Sequence, residues 1–110
     1  MPSYHKLVRD KIPEIIEMNG QKVMYRRISG EDFIKEAKEK LKEEMKEYLE
    51  AQNPEQAIEE LADLLEIIYC LAERHGYSKA ELESIRSDKS ERRGAFHEGW
   101  FLETVGDDEW

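Results

Sequence analysis

The amino-acid sequence predicts an all-α fold built on an antiparallel helical hairpin. Apolar residues recur every three or four positions through two stretches, at about 31–51 and 54–74, as they do along one face of an α-helix. Only a short turn, Gln52-Asn53-Pro54, joins the two stretches. Asn is a good helix cap and Pro favours the first helical position, so the turn also marks where the second long helix begins. A connection this short makes consecutive helices antiparallel.

Short flanking elements surround the predicted hairpin. Pro13 opens a helical pattern that reaches Met18, and Asn19-Gly20 ends it, because both residues tolerate left-handed backbone. Residues 22–28 are β-prone but alternate poorly, which indicates an extended segment or a short strand. The whole chain, residues 1–110, has the length of a single domain.

Two capping patterns mark further helix starts. Ser29 with Asp32 forms an imperfect capping box for the first long helix. Ser78 with Glu81 forms a second box and predicts a helix over 79–91. In each pattern, side-chain oxygens accept hydrogen bonds from backbone N–H groups that have no partner within the helix.

The two long helices carry more apolar surface than one hairpin covers. On the first helix the apolar stripe consists of Phe33, Ile34, Ala37, Leu41, Met45, Tyr48 and Leu49. The second helix is apolar over a wider arc, which is typical of buried helices. We therefore expect a second copy of the chain to complete a four-helix-bundle core, in a homodimer or homotetramer.

Charge and hydropathy exclude several function classes. The formal net charge is −9, from 26 acidic and 17 basic residues, so a broad nucleic-acid-binding surface is not expected. The start of the chain lacks the apolar core of a signal peptide, and no segment approaches the roughly 20 apolar residues of a membrane span. We expect a cytoplasmic protein without membrane contacts. The surplus of acidic side chains either maintains solubility, or some of these carboxylates cluster and bind a hard cation.

Four carboxylates fall beside the apolar faces of the predicted hairpin. Glu44 lies about 60° from the centre of the first stripe, with Glu47 one turn further at the same edge. Glu43 falls nearly opposite, toward solvent. Glu60 and Asp63 are surface neighbours on the second helix. Both acidic pairs lie at similar distances from the turn, so antiparallel packing places them opposite each other.

Four facing carboxylates repel one another unless something neutralises them. A cation such as Mg²⁺ or Mn²⁺ does so, because hard cations bind carboxylate oxygens. The alternative is that these acids lie at the rim of the hairpin, bonded to Arg or Lys side chains. The paired arrangement favours the metal site.

The carboxylate spacing resembles that of a known enzyme family. Glu43-Glu44-x-x-Glu47, followed after twelve residues by Glu60-x-x-Asp63, is similar to the pattern of the all-α nucleoside triphosphate pyrophosphohydrolases. That group includes the MazG-like enzymes, the dimeric dUTPases and phosphoribosyl-ATP pyrophosphohydrolase.

Both ends of the chain extend this resemblance to nearly its whole length. HKLVRDKIP at 5–13 resembles the opening of a MazG-like subgroup described as predicted house-cleaning pyrophosphohydrolases. EELAD at 59–63 continues the match, and RGAF at 93–96 resembles the Arg-Gly-Gly-Phe of that subgroup's tail. Ala95 in place of the second glycine and an ending that contains Trp100 depart from the pattern.

The resemblance implies a role for each acidic pair. Glu44, Glu47, Glu60 and Asp63 would be both metal ligands and catalytic residues. They would coordinate one or more Mg²⁺ ions, for which Mn²⁺ could substitute. The bound ions would hold the triphosphate and activate a water, and the products would be a nucleoside monophosphate and pyrophosphate. One of the acids could also accept a proton from that water.

The phosphates of such a substrate require cationic side chains. We expect Lys6, Arg9 and Arg93 to contact phosphate, since Arg suits bidentate phosphate contacts. The alternative for each is a solvated basic stretch or a structural ion pair. Two other functions also fit the sequence. One is phosphoribosyl-ATP pyrophosphohydrolase activity in histidine biosynthesis, and the other is a helical dimerisation module without catalysis.

Overall fold

The computed structural model describes residues 4–106, which form four α-helices and no β-strand. The helices are α1 (Ile12–Met18), α2 (Gly30–Leu49), α3 (Pro54–Arg74) and α4 (Lys79–Arg93). The all-α prediction is confirmed, and residues 22–28 form neither a helix nor a strand. None of the four helices in this part of the chain combines the length and the apolar character of a membrane span.

Local hydrogen bonds fix the turn between α2 and α3 as predicted. Asn53 caps α3, because its Oδ1 accepts a hydrogen bond from the backbone N–H of Gln56 at 2.9 Å. The Gln56 side chain in turn accepts one from the backbone N–H of Gln52 at 2.9 Å. Pro54 occupies the first helical position, where its missing N–H costs no hydrogen bond. α3 therefore runs back along α2 as a hairpin.

The two predicted capping boxes differ in outcome. At the start of α4 the Ser78 hydroxyl accepts from the Glu81 N–H at 3.1 Å, and Glu81 accepts from the Ser78 N–H at 3.0 Å. The box of Ser29 with Asp32 is wrong, since the Ser29 side chain makes no capping hydrogen bond. Gly30, the first residue of α2, has a left-handed φ of 58°, which changes how the chain enters the helix.

The core of the single chain is small and lies away from the α2–α3 turn. Phe33 and Ala37 of α2 and Ile67 of α3 are its buried apolar side chains among residues 4–106. Leu7 and Ile28, from the segments outside the hairpin, pack against this cluster. Packing of Leu7 holds the N-terminal segment against the two long helices.

Apolar side chains nearer the turn and along the outer side of α3 remain uncovered in the single chain. Those of Met45, Leu49, Ile58, Leu61, Leu65 and Ile68 are between 38% and 73% exposed. In the single chain, α2 and the flanking segments therefore cover only part of the wide apolar arc of α3. α4 packs against α3 and not against α2.

Candidate metal centre

The structure brings the four predicted carboxylates together between α2 and α3. One oxygen each from Glu44, Glu60 and Asp63 lies within 4.8 Å of the others. A second group consists of Glu43, Glu44 and Glu47, and one oxygen from each again lies within 4.8 Å of the others. Glu44 belongs to both groups, so the five acids form one continuous cluster, which we call the carboxylate cluster.

Helix geometry and the capped turn together create this cluster. Glu44 and Glu47 are one helical turn apart on α2, and Glu60 and Asp63 are one turn apart on α3. Because Asn53 fixes where α3 starts, the second pair lies level with the first. The arrangement thus follows from periodicity and the short turn.

Two oxygens of the cluster are buried without a partner. Glu44 is only 6% exposed, although it is a charged residue. Its Oε2, and the Oε2 of Glu60 on the facing helix, are inaccessible to solvent and have no hydrogen-bond partner among residues 4–106. Leaving such a group unpaired costs about 1–3 kcal/mol. A divalent cation between the helices would satisfy both oxygens, so the residues present fit a hard metal ion.

Crowding of the acids disfavours their full ionisation. Burial raises the pKa of Glu44 above its ordinary value. The ion pair with Lys40 opposes this rise, and repulsion from the Glu47 carboxylate adds to it. Burial likewise raises the pKa of Glu47, as does the neighbouring Glu60 carboxylate. The cluster therefore needs either protons or additional positive charge to be stable.

Glu43 is half-buried, and the interpretation that it faces solvent is wrong. Its carboxylate accepts hydrogen bonds from Lys6 at 3.1 Å and from Lys40 at 3.5 Å. Burial opposes its ionisation, but the Lys6 hydrogen bond and the Lys40 charge outweigh it, so the pKa of Glu43 is lowered. The N-terminal segment covers this side of α2, and the periodicity of α2 contains no information about that segment.

Two of the three predicted phosphate contacts lie at the margin of the cluster. Lys6 reaches Glu43 of α2, while Arg9 donates a hydrogen bond to Asp63 of α3 and lies 4.0 Å from Glu66. The hydrogen bond to Asp63 raises the pKa of Arg9. Both basic side chains therefore form ion pairs here, which was the alternative expectation for them.

The third predicted phosphate contact, Arg93, is not brought to the carboxylates of its own chain. It is exposed at the end of α4 and forms no side-chain hydrogen bond or ion pair with any residue between 4 and 106. α4 begins at Lys79, beyond the end of α3 that is remote from Glu60. Among the described helices, α4 contacts α3 and not α2.

Lys40 is a neighbour of the cluster that the predicted site did not include. It lies one turn before Glu44, and its ammonium is 3.3 Å from Glu44 Oε1. A cleft of about 300 Å³ adjoins it, lined by residues 5–7 and by Glu36, Glu39, Lys40 and Glu43 of α2. The signal in the sequence was the spacing of four residues between Lys40 and Glu44.

The cluster offers oxygen ligands on two helices with cationic side chains at its edge. That combination suits the binding of a metal ion together with an anionic ligand. Comparisons with protein-family models, curated proteins and solved structures found no match to this chain.

Proposed function

We propose that the chain is a Mg²⁺-dependent nucleoside triphosphate pyrophosphohydrolase. It would convert ribo- or deoxyribonucleoside triphosphates to the monophosphate and pyrophosphate, in the removal of unwanted nucleotides from the pool. The observation that carries this proposal is the pair of buried, unpartnered oxygens of Glu44 and Glu60 on facing helices. The sequence resemblance to the MazG-like enzymes supplies the reaction type.

The cation would be held by Glu44 and Glu47 of α2 and by Glu60 and Asp63 of α3. These ligands are all carboxylate oxygens, which favours Mg²⁺ or Mn²⁺ over the softer metals. When bound, such an ion neutralises phosphate charge and lowers the pKa of a coordinated water. The facing helices position the four acids before the ion arrives, because the capped turn fixes their register.

Other side chains of the chain would hold the substrate and move a proton. Lys6 and Arg9 lie at the edge of the cluster and would bind the phosphate oxygens. Glu47 is the most exposed of the four proposed ligands, and it would accept a proton from the attacking water. Cleavage between the α and β phosphates then leaves pyrophosphate as the product.

A second copy of the chain would complete the helical core. The uncovered side chains of α2 and α3, such as Leu61 and Leu65, form an apolar face that a monomer leaves in water. Pairing of two hairpins through this face would give a four-helix bundle in a homodimer, or in a homotetramer of two such pairs. Arg93 would contact phosphate only in such an assembly, because α4 does not bring it to its own carboxylates.

Two alternatives share parts of this description. A phosphoribosyl-ATP pyrophosphohydrolase would use the same acids, so only its substrate would differ. A helical dimerisation module without catalysis is favoured by the exposed apolar face of α2 and α3. The module leaves the unpartnered oxygens of Glu44 and Glu60 without an explanation, and we therefore favour the enzyme.

Pyrophosphate release tests the proposed activity. The panel contains normal and modified nucleoside triphosphates and phosphoribosyl-ATP, each with Mg²⁺ and with EDTA. Glu60→Gln removes a proposed ligand, and Glu59→Gln is the matched control on the exposed side of α3. We expect Mg²⁺-dependent release that is lost in Glu60→Gln and retained in Glu59→Gln. No turnover of any compound by the folded wild type would favour the dimerisation module.

A further inference from the structure

The N-terminal segment bridges the two long helices at the edge of the carboxylate cluster. Lys6 reaches Glu43 on α2, with 3.1 Å between the ammonium nitrogen and Oε1. Arg9 donates a hydrogen bond to Asp63 on α3. These contacts join residues that are 37 and 54 positions apart in the chain, so the tertiary fold creates them.

The segment is anchored independently of the Arg9 side chain. Leu7 packs against the core cluster of Phe33, Ala37 and Ile67. The Lys6 ion pair adds a second attachment, to Glu43, which is not one of the proposed metal ligands. The Arg9 guanidinium can therefore leave Asp63 by side-chain rotation, while the backbone of the segment stays in place.

Asp63 belongs both to the ion pair with Arg9 and to the group of acids proposed to hold the cation. Its Oδ1 accepts the hydrogen bond from Arg9. An oxygen of Asp63 also belongs to the group with Glu44 and Glu60 that lies within 4.8 Å. A divalent cation bound to that group would repel the guanidinium at short range. The two positive charges thus compete for one carboxylate.

We propose that Arg9 is a counter-ion latch on the metal centre. In the metal-free protein it neutralises Asp63, and cation binding displaces it. The released guanidinium is then available to an anionic ligand such as a phosphate group, so cation binding prepares the site for the second ligand. This inference rests on the cation site of the proposed function.

The latch has a measurable consequence for cation affinity. In the latch, cation binding breaks the Arg9–Asp63 pair, so removing Arg9 strengthens binding by the free energy of that pair. The two side chains are 53% and 35% exposed, and ion pairs of this kind correspond to about a two- to fivefold change in an equilibrium constant. A residue that only steadied the fold would not change cation affinity in this direction.

Calorimetric titration with Mn²⁺, without nucleotide and at low ionic strength, tests the latch directly. Arg9→Gln is compared with wild type and with Lys11→Gln, which removes the same charge from the same segment. Lys11 forms no ion pair with the residues that the structure describes. We expect Arg9→Gln to bind Mn²⁺ about two- to fivefold more tightly than wild type, and Lys11→Gln to change affinity by less than twofold.

Thermal melting provides a second readout of the same variants. Arg9→Gln should lower the unfolding midpoint in EDTA and leave it unchanged at saturating Mn²⁺, because the pair is already broken in the metal-bound state. Equal lowering in both conditions would show a purely structural role and overturn the latch. So would equal Mn²⁺ affinities of Arg9→Gln and Lys11→Gln. Failure of the wild type to bind Mn²⁺ would overturn the cation site itself, and the latch with it.

Discussion

Glu44 on α2 and Glu60 on α3 face each other across the hairpin, and each has one buried carboxylate oxygen without a hydrogen-bond partner in the described part of the chain. A buried acceptor of this kind destabilises the fold unless a donor or a cation satisfies it. The same two side chains should therefore weaken the metal-free protein and strengthen the metal-bound one. A packing defect would destabilise the protein whether or not metal is present, whereas a binding site would destabilise only the metal-free protein.

Glu44→Gln should increase the stability of the metal-free protein. The substitution removes a buried charge and provides an amide N–H for a neighbouring carboxylate, while Lys40 keeps its ion pair with Glu43, so we expect a gain of about 1 kcal/mol in the free energy of unfolding. Urea unfolding in EDTA measures it. The control is Glu39→Gln, because Glu39 is exposed and paired only with Lys42 in the described part of the chain; its effect should stay within about 0.5 kcal/mol. A loss of stability in Glu44→Gln would contradict this account.

The stability of the metal-free protein should depend on pH through the same acids. Burial raises the pKa of Glu44 and of Glu47, so the folded state retains their protons where the unfolded state has released them. Their stabilising contribution is complete below the ordinary Glu pKa of about 4.3 and is lost as the pH rises through the raised values.

The double variant Glu44→Gln and Glu47→Gln isolates this contribution. In EDTA, its stability relative to wild type should increase from about pH 4 to pH 7. Glu43 affects the pH dependence in the opposite direction, because its pKa is lowered. Its stabilising contribution is present above the ordinary Glu pKa and is lost as the pH falls through the lowered value. A relative stability of the double variant that does not change with pH would contradict the raised pKa values of these two acids.

Sedimentation equilibrium tests the proposed assembly through the exposed face of α2 and α3. Leu65→Glu should raise the dissociation constant of the oligomer at least tenfold, because each buried leucine contributes about 1.5–3 kcal/mol. Ile85→Glu on α4 is the control, since Ile85 is 49% exposed and Leu65 is 46% exposed in the single chain. A monomeric wild type would remove the basis for the four-helix core.

Local signals in the sequence were sufficient to predict most of the fold. The bounds of α3 follow from Asn53-Pro54 at one end and Gly76 beyond the other, because capping and the end of apolar periodicity are short-range effects. Ser29 with Asp32 failed as a box because the local pattern does not determine the backbone at the start of α2. A capping pattern fixes residue types, and the left-handed backbone of Gly30 depends on how the preceding segment packs.

The sequence predicted only part of the candidate site. Glu44 and Glu60 could be placed opposite each other from helical periodicity and the short turn between their helices. The contact of Arg9 with Asp63 could not be placed, because it joins a helix to a non-helical segment 54 residues away. The half-burial of Glu43 was missed for the same reason, since Lys6 of that segment covers it.

Thermal melting with Mg²⁺ and with EDTA, for wild type, Glu60→Gln and Glu59→Gln, tests the metal centre most directly. A ligand present at 100 times its dissociation constant stabilises the folded state by about 2.7 kcal/mol. We predict that saturating Mg²⁺ raises the midpoint of wild type and of Glu59→Gln by this mechanism and leaves that of Glu60→Gln unchanged. Unfolding midpoints that are the same with Mg²⁺ and with EDTA in all three proteins would contradict a cation site between Glu44 and Glu60. So would midpoints that Mg²⁺ raises equally in all three.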